Sequence, residues 1–230
     1  MIPKLEVLFD AVPGESVAEY GGNPRWSGLA ANFVESVDGV VALPDAGGES
    51  GGVISGKSRA DHFLMGLLRA CTDAVLIGAG TLRASPRELW HADAIFPEAA
   101  EIYARVGSLR PPLYVVSGSG VDPAHPALRQ GGVVIAGKLA PLEIVQRIRD
   151  DGHQRILCEG GPRLFAELAD AGLVDELFLT VSPRLFGRFA GDARKALTDA
   201  RDLRGMPLQL VSARRHESHL FLRYGMKSRR

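Results

Sequence analysis

Two cysteines in 230 residues, Cys71 and Cys158, each stand alone inside an apolar segment, which excludes a disulfide framework and a CxxC metal pair. Both read as packed thiols of a protein kept in a reducing cytoplasm. The six histidines (His62, His91, His125, His153, His216 and His219) show no HExxH or Cys/His ligand spacing, so no metal is expected. No apolar run approaches the roughly 20 residues that span a bilayer. The stretch Met1 to Asp10 has one cation before a short apolar segment broken by Glu6, unlike a signal peptide. Neither sign of charge prevails: Lys plus Arg and Asp plus Glu are 27 each. That leaves no basic field for nucleic acid and no polybasic helix for a membrane surface. Lys227 to Arg230 reads as a solvated end. No Ser/Gly/Pro-rich linker, internal repeat or low-complexity segment divides the chain. What remains is 46% hydrophobic and 23% charged, enough for one large domain with a full core.

Residues 1–26 form a lead-in punctuated by Pro and Gly, whose Leu5, Val7, Leu8 and Phe9 are expected to pack on a single domain of residues 27–230. Strands are expected at Leu29 to Glu35, Ala74 to Ile77, Leu113 to Ser117, Val133 to Ala136, Arg155 to Cys158 and Glu176 to Val181. Between them fall helices. One runs from about Ser58 to Cys71: Ser58 and Asp61 resemble a capping box, though Asp is a poorer partner than Glu, and Phe63, Leu64, Leu67, Leu68 and Cys71 share one side of the wheel. Arg69 lies nearly opposite and reads as a solvated helix residue. A second helix starts at Pro141 and ends near Gly152; a third runs from Pro162 to Ala171, with Gly172 as its stop. This alternation predicts an α/β fold with a largely parallel sheet. Leu208 to Arg214 and His219 to Tyr224 predict an antiparallel hairpin turning near Glu217-Ser218. The Pro44 to Gly52 loop is expected to be mobile and able to fold over a ligand. Residues 84–110 are the least legible, and Trp90 and His91 read as surface loop or cleft rim.

Two segments share one design. In Arg155-Ile156-Leu157-Cys158-Glu159-Gly160-Gly161-Pro162 a short strand meets paired glycines and then a helix, with Pro162 suited to the first helical position. Such a turn offers backbone N–H groups and the positive end of a helix dipole to an anion. Asp73-Ala74-Val75-Leu76-Ile77-Gly78-Ala79-Gly80-Thr81 repeats it, with Thr81 able to cap a helix or bind phosphate oxygen. Two turns suit a dinucleotide. The third glycine of the common dinucleotide fingerprint is missing, however, since Arg83 stands in its place, so an ordinary Rossmann domain is not expected. The competing reading of either turn is a strand-to-helix connection with no ligand.

The segments Asn32-Phe33-Val34-Glu35-Ser36-Val37-Asp38-Gly39, Leu67-Leu68-Arg69-Ala70 through Gly78-Ala79-Gly80-Thr81, Glu159-Gly160-Gly161-Pro162, Gly172 to Leu177 and Pro183-Arg184-Leu185-Phe186-Gly187, in that order, resemble the reductase domain of riboflavin biosynthesis. The resemblance covers roughly residues 28–224. It implies a dihydrofolate reductase-like fold: a mixed, mostly parallel central sheet flanked by helices, with an antiparallel C-terminal hairpin. It also implies NADPH as cofactor, and hydride transfer that opens and reduces the ribose of a ribosylamino-pyrimidine phosphate. The zinc deaminase domain of the bifunctional members is expected to be absent, because the chain has no HxE or PCxxC element. Position by position, the resemblance places Gly78, Gly80, Thr81, Gly160, Gly161 and Pro162 at the cofactor, with Ser117 and Gly118 near its adenosine phosphate. Asn32, Ser36 and Asp38 fall at the nicotinamide end. Arg69 falls at the substrate's phosphate, and Ser50 and Ser55 before its ribose. Glu159 lies beside the substrate, or serves as a structural hydrogen-bond acceptor. Asp38 or Glu159 is the candidate for moving the proton that ring opening requires. A homodimer through the carboxyl-end strands, in the cytoplasm, completes what the resemblance implies.

One departure stands out. Riboflavin-pathway members carry Asp-Asp-Pro after the Thr of the glycine turn, whereas this chain has Thr81-Leu82-Arg83-Ala84-Ser85-Pro86-Arg87-Glu88, with Glu88 and Arg87 or Arg83 as possible substitutes. Gly51-Gly52 also replace an apolar-aromatic position. Two further readings follow: reduction of another pyrimidine or pterin such as dihydrofolate, or a non-catalytic nucleotide-binding protein.

Overall fold

The computed structural model describes residues 1–11, 16–44, 50–188, 191–198 and 201–226. Its elements begin with β1 (Glu6–Asp10), β2 (Leu29–Ser36), α1 (Ser50–Ser55), α2 (Arg59–Cys71) and β3 (Ala74–Gly78). Then come α3 (Ala79–Ala84), α4 (Ala92–Ile95), a 3-10 turn at Pro97–Ala99, α5 (Ala100–Val106), β4 (Leu113–Ser117), α6 (Pro126–Arg129) and β5 (Val133–Ala136). The chain continues through α7 (Pro141–Asp150), β6 (Ile156–Cys158), α8 (Pro162–Asp170), β7 (Glu176–Ser182), β8 (Leu208–His216) and β9 (His219–Met226). The nine strands form one sheet in the order β1-β8-β9-β7-β2-β6-β3-β4-β5. From β7 to β5 every neighbouring pair is parallel; β9, β8 and β1 add to it antiparallel.

Inside the edge strand β5, both faces of the parallel part are covered, which is why its inner strands read as continuous apolar runs. Ala30, Leu157 and Phe178 face α2 and α5 with Phe63, Leu67 and Tyr103. The alternate residues Leu29, Ala31, Cys158 and Leu177 face α7 and α8 with Ile144, Ile148, Phe165 and Leu168. Helix starts follow local chemistry. The Ser58 hydroxyl accepts the Asp61 N–H at 3.4 Å, and Pro141 and Pro162 occupy first-turn positions of α7 and α8. At Gly66 the missing side chain admits the Tyr103 ring, since a Cβ would stand 2.6 Å from its hydroxyl, and that hydroxyl donates to Phe63 O at 2.9 Å.

Four expectations change. Arg69 is 2% exposed, not solvated, because α4 and α5, from the segment without readable periodicity, close over the outer side of α2. Trp90 is neither loop surface nor rim: it is buried against Val75, Ile77 and Leu113. Residues 1–26 contribute a strand to the sheet, and of the apolar residues there Leu5 is buried while Val7, Leu8 and Phe9 stay exposed, since β1 is an edge strand beyond the reach of the helices. Gly51 and Gly52 belong to α1, not to a loop. Positions 45–49 of the Pro44–Gly52 loop and the Lys227–Arg230 tail lie outside the described residues. No helix among the described residues is long and apolar enough to cross a membrane.

Candidate active site

Parallel strands end on a common edge, and the sequence motifs converge there. The register pairs Ala31 with Cys158 and Cys158 with Leu76, so Asn32 and Glu159 follow abreast on the α2 face. One step on, the two glycine turns touch. A Cβ on Gly160 would lie 2.7 Å from Gly78 N and 2.8 Å from both Ile77 Cα and Leu164 Cδ2. Gly161 N–H donates to Thr81 Oγ1 at 2.8 Å, tying the turns together. Thr81 therefore does not cap a helix; it sits inside the first turn of α3, with its own hydroxyl proton left to donate. The Gly161 amide is used internally, and α8 presents instead the first-turn amides of Arg163 and Leu164, which a helix leaves without an internal acceptor. Around Gly80 a Cβ would meet nothing within 4 Å. The turns thus present free first-turn amides at a helix N-terminus beside open space, an arrangement that suits an anion such as a dinucleotide phosphate.

The remaining candidates divide. Ser117 is buried and donates to Gly120 O at 2.8 Å, so of that pair Gly118 alone reaches the surface, beside Lys138. Ser36 is fully buried; its hydroxyl accepts Val40 N–H at 3.0 Å and donates to Asp38 Oδ1 at 2.5 Å. Asp38 also accepts N–H groups of Phe186 at 3.2 Å and Gly187 at 2.6 Å. The Ser36 hydroxyl, followed by those amides, holds this carboxyl below the usual carboxylate value and favours its ionised form. Asp38 thereby joins the loops after β2 and β7. Ser50 exchanges hydrogen bonds with Leu43 at 3.1 Å, and Ser55, fully buried, donates to Gly52 O at 3.3 Å. Neither hydroxyl is turned freely toward the edge.

Arg69 and Glu159 do meet. Arg69 Nη2 lies 2.7 Å from Glu159 Oε2, Nε lies 3.1 Å from both carboxylate oxygens, and Nη1 lies 2.8 Å from Glu88 Oε1. Burial pushes the Glu159 carboxyl up, and the Arg69 guanidinium draws it back.

Asp61 was missed as a site residue, being read only as a weak capping-box partner. It is 6% exposed, with the Thr180 and Ser55 hydroxyls among its polar neighbours, and near enough to Glu159 for the two to repel. Desolvation raises its carboxyl, against the pull of Thr180, His62, His219 and Ser55. Stability from such a group is complete below the ordinary Asp value and is lost as pH climbs through the raised native value. Asp61→Asn cannot ionise, so its stability relative to wild type should improve as pH rises from about 4, the ordinary Asp value, through the raised native one. Urea denaturation across that range checks this; a difference independent of pH would mean an ordinary native carboxyl.

The sheet order, three antiparallel strands added to a parallel run of six, is that of the dihydrofolate reductase-like fold class. Dihydrofolate reductase from Enterococcus faecalis, solved with NADP(H), superposes with a TM-score of 0.51 at 16% identity over 87% of this chain and 95% of that one. Within the class, residues 28–222 match the model of the RibD C-terminal domain, and the chain belongs to that family. The riboflavin biosynthesis protein RibD of Escherichia coli is 30% identical over 188 residues, 71% of this chain. The chain spans about half (49%) of the length of that relative. A pyrimidine reductase-like protein from Corynebacterium diphtheriae superposes with a TM-score of 0.64 at 22% identity, over 88% of this chain and 93% of that one.

Proposed function

We propose that this chain is an NADPH-dependent reductase of a ribosylamino-pyrimidine phosphate in riboflavin biosynthesis. The observation that carries this reading is the contact of the two glycine turns through Gly160 and Gly78, with Asn32 and Glu159 abreast beside it. The Arg163 and Leu164 amides, the Thr81 hydroxyl and the space above Gly80 would hold the dinucleotide phosphates. NADPH supplies the hydride when bound. The protein's own work is to fix the accepting carbon of the substrate and exclude water. Asn32 and Glu159 would orient the amino and hydroxyl groups of the ribosylamine, while Asp38 keeps the loop at Phe186-Gly187 in place through its filled hydrogen bonds.

NADPH and NADH titration by fluorescence, with oxidation followed after adding the ribosylamino-pyrimidine phosphate or dihydrofolate, tests the reading. Micromolar NADPH affinity and oxidation that needs the pyrimidine are expected. Binding without oxidation by the pyrimidine would overturn the substrate, and absence of binding would remove the cofactor site. Residence in the cytoplasm and a homodimer belong to the same proposal. Val7, Leu8, Phe9, Leu208, Leu210 and Leu220 stand exposed on β1, β8 and β9, which supports pairing through these strands. Sedimentation at micromolar concentration should give twice the 24.6 kDa chain mass.

A further inference from the structure

All three nitrogens of the Arg69 guanidinium are engaged inside the protein. Nε and Nη2 grip Glu159, and Nη1 is shared between Glu88 Oε1 at 2.8 Å and the carbonyl of His91 at 3.3 Å. The side chains are 2% exposed for Arg69, 7% for Glu159 and 30% for Glu88. Anything approaching from solvent therefore meets the Glu88 carboxylate before the guanidinium. The charged neighbours do not reverse this: Arg69, Glu88 and Asp61 act on Glu159, and Arg110, Asp93, Arg69 and Glu88 on the adjoining His91. A phosphate at Arg69 would have to expel a carboxylate from a buried, well-aligned pair, and leave that carboxylate without its partner.

The geometry points to Arg69 as a positioning residue that fixes Glu159 at the end of β6, and not as a ligand for the substrate's phosphate. The role rests on the reductase reading above. A planar fork set against both oxygens of one carboxylate locks its orientation as well as its charge, which a lysine cannot do. The carboxylate so fixed lies level with Asn32, where it can accept hydrogen bonds from the amino or hydroxyl groups of a ribosylamine. Glu88 holds the far side of the guanidinium and completes its burial. Of the groups facing Glu159, Arg69 is the one that favours its ionised form, whereas Asp61, Glu88 and desolvation oppose it. Weakening the Arg69 contact therefore leaves Glu159 protonated over a wider range of pH.

The test follows NADPH oxidation with the ribosylamino-pyrimidine phosphate and with its dephosphorylated form, across pH, for wild type, Arg69→Lys, Glu159→Gln and the double variant. Arg69→Lys should lower kcat about tenfold or more with both substrates, leave KM within about threefold, and move the acid limb of the profile to higher pH. In the Glu159→Gln background the lysine substitution should add little, because the two residues act as a unit. A KM rise of about tenfold confined to the phosphorylated substrate, or full additivity in the double variant, would overturn the assignment. If wild type oxidises NADPH with neither pyrimidine, the reductase reading fails by itself, and NMR decides the role of Arg69 without turnover. The Arg69 Nε–H resonance of the wild-type protein should not move on addition of millimolar inorganic phosphate or ribose 5-phosphate, and the Glu159 carboxyl should titrate at higher pH in Arg69→Lys. A phosphate-induced shift at Arg69 would sink the proposal.

Discussion

Gly160→Ala is expected to weaken NADPH binding by between about fivefold and about a hundredfold, the equivalent of the ~1–3 kcal/mol that overpacking typically costs. The added methyl would stand 2.7 Å from Gly78 N and 2.8 Å from Ile77 Cα, and neither backbone atom can rotate away as a side chain could. Relief requires β6 and β3 to part at their carboxyl ends. That movement stretches the 2.8 Å bond from Gly161 N–H to Thr81 Oγ1, which ties the turns together. Gly80→Ala serves as the complement: its methyl would meet no protein atom within 4 Å, so thermal stability should stay near wild type. On the proposed reading the space above Gly80 belongs to the cofactor, so this variant should lose NADPH affinity alone. Fluorescence titration and thermal denaturation of both variants separate the two effects. Unchanged affinity in both would move the cofactor away from these turns.

What could be seen in the sequence follows from where each residue finds its partners. Strands β4 and β5 were legible to the residue because they are short apolar runs rich in β-branched residues, bounded by glycine or proline. Helix α8 was legible through Pro162 and Gly172. The glycine turns were legible as strand-to-helix turns because paired glycines ahead of a helix start are a local signal, although the close approach that Gly160 makes to Gly78 and Ile77 is not. The roles of side chains were not, because their partners are remote. Asp38 is held by amides 148 and 149 residues further on, and Arg69 by a carboxylate 90 residues away. The helical wheel marked Arg69 as solvated because a wheel records one buried side. The second cover of α2 comes from α4 and α5, a stretch whose short helices show no period long enough to read. Asp61 illustrates the same limit: its capping amide is three residues from Ser58, whereas the hydroxyl that makes its carboxyl matter, Thr180, lies on β7.

Arg214→Ala should destabilise the protein by about 3 kcal/mol, through the loss of a large buried side chain and of its hydrogen bonds. In a chain of this size that lowers the melting temperature by roughly 6–12 °C. Arg214 is 1% exposed on β8, and its guanidinium is the fastening of the N-terminal segment. Nη2 donates to Asp10 Oδ2 at 2.6 Å, Nε donates to Tyr20 O at 2.8 Å, and the group lies over the Tyr20 ring with its carbon 4.0 Å from the centroid. Gly22 is without a side chain where this guanidinium passes. Truncation at Arg214 leaves a cavity under Tyr20 and removes a partner from Asp10, so β1 loses its anchor although its backbone pairing to β8 is untouched. Urea denaturation measures the loss, and amide exchange in Glu6–Asp10 reads where it falls. Loss of protection confined to β1 and residues near Tyr20 would show that the first 26 residues fold as a separable strap on the reductase domain. Uniform loss across the sheet would show that β1 is part of its cooperative core, and that a boundary at residue 27 cuts through the domain. A cost below about 1 kcal/mol would mean that the strand is held by its backbone ladder alone.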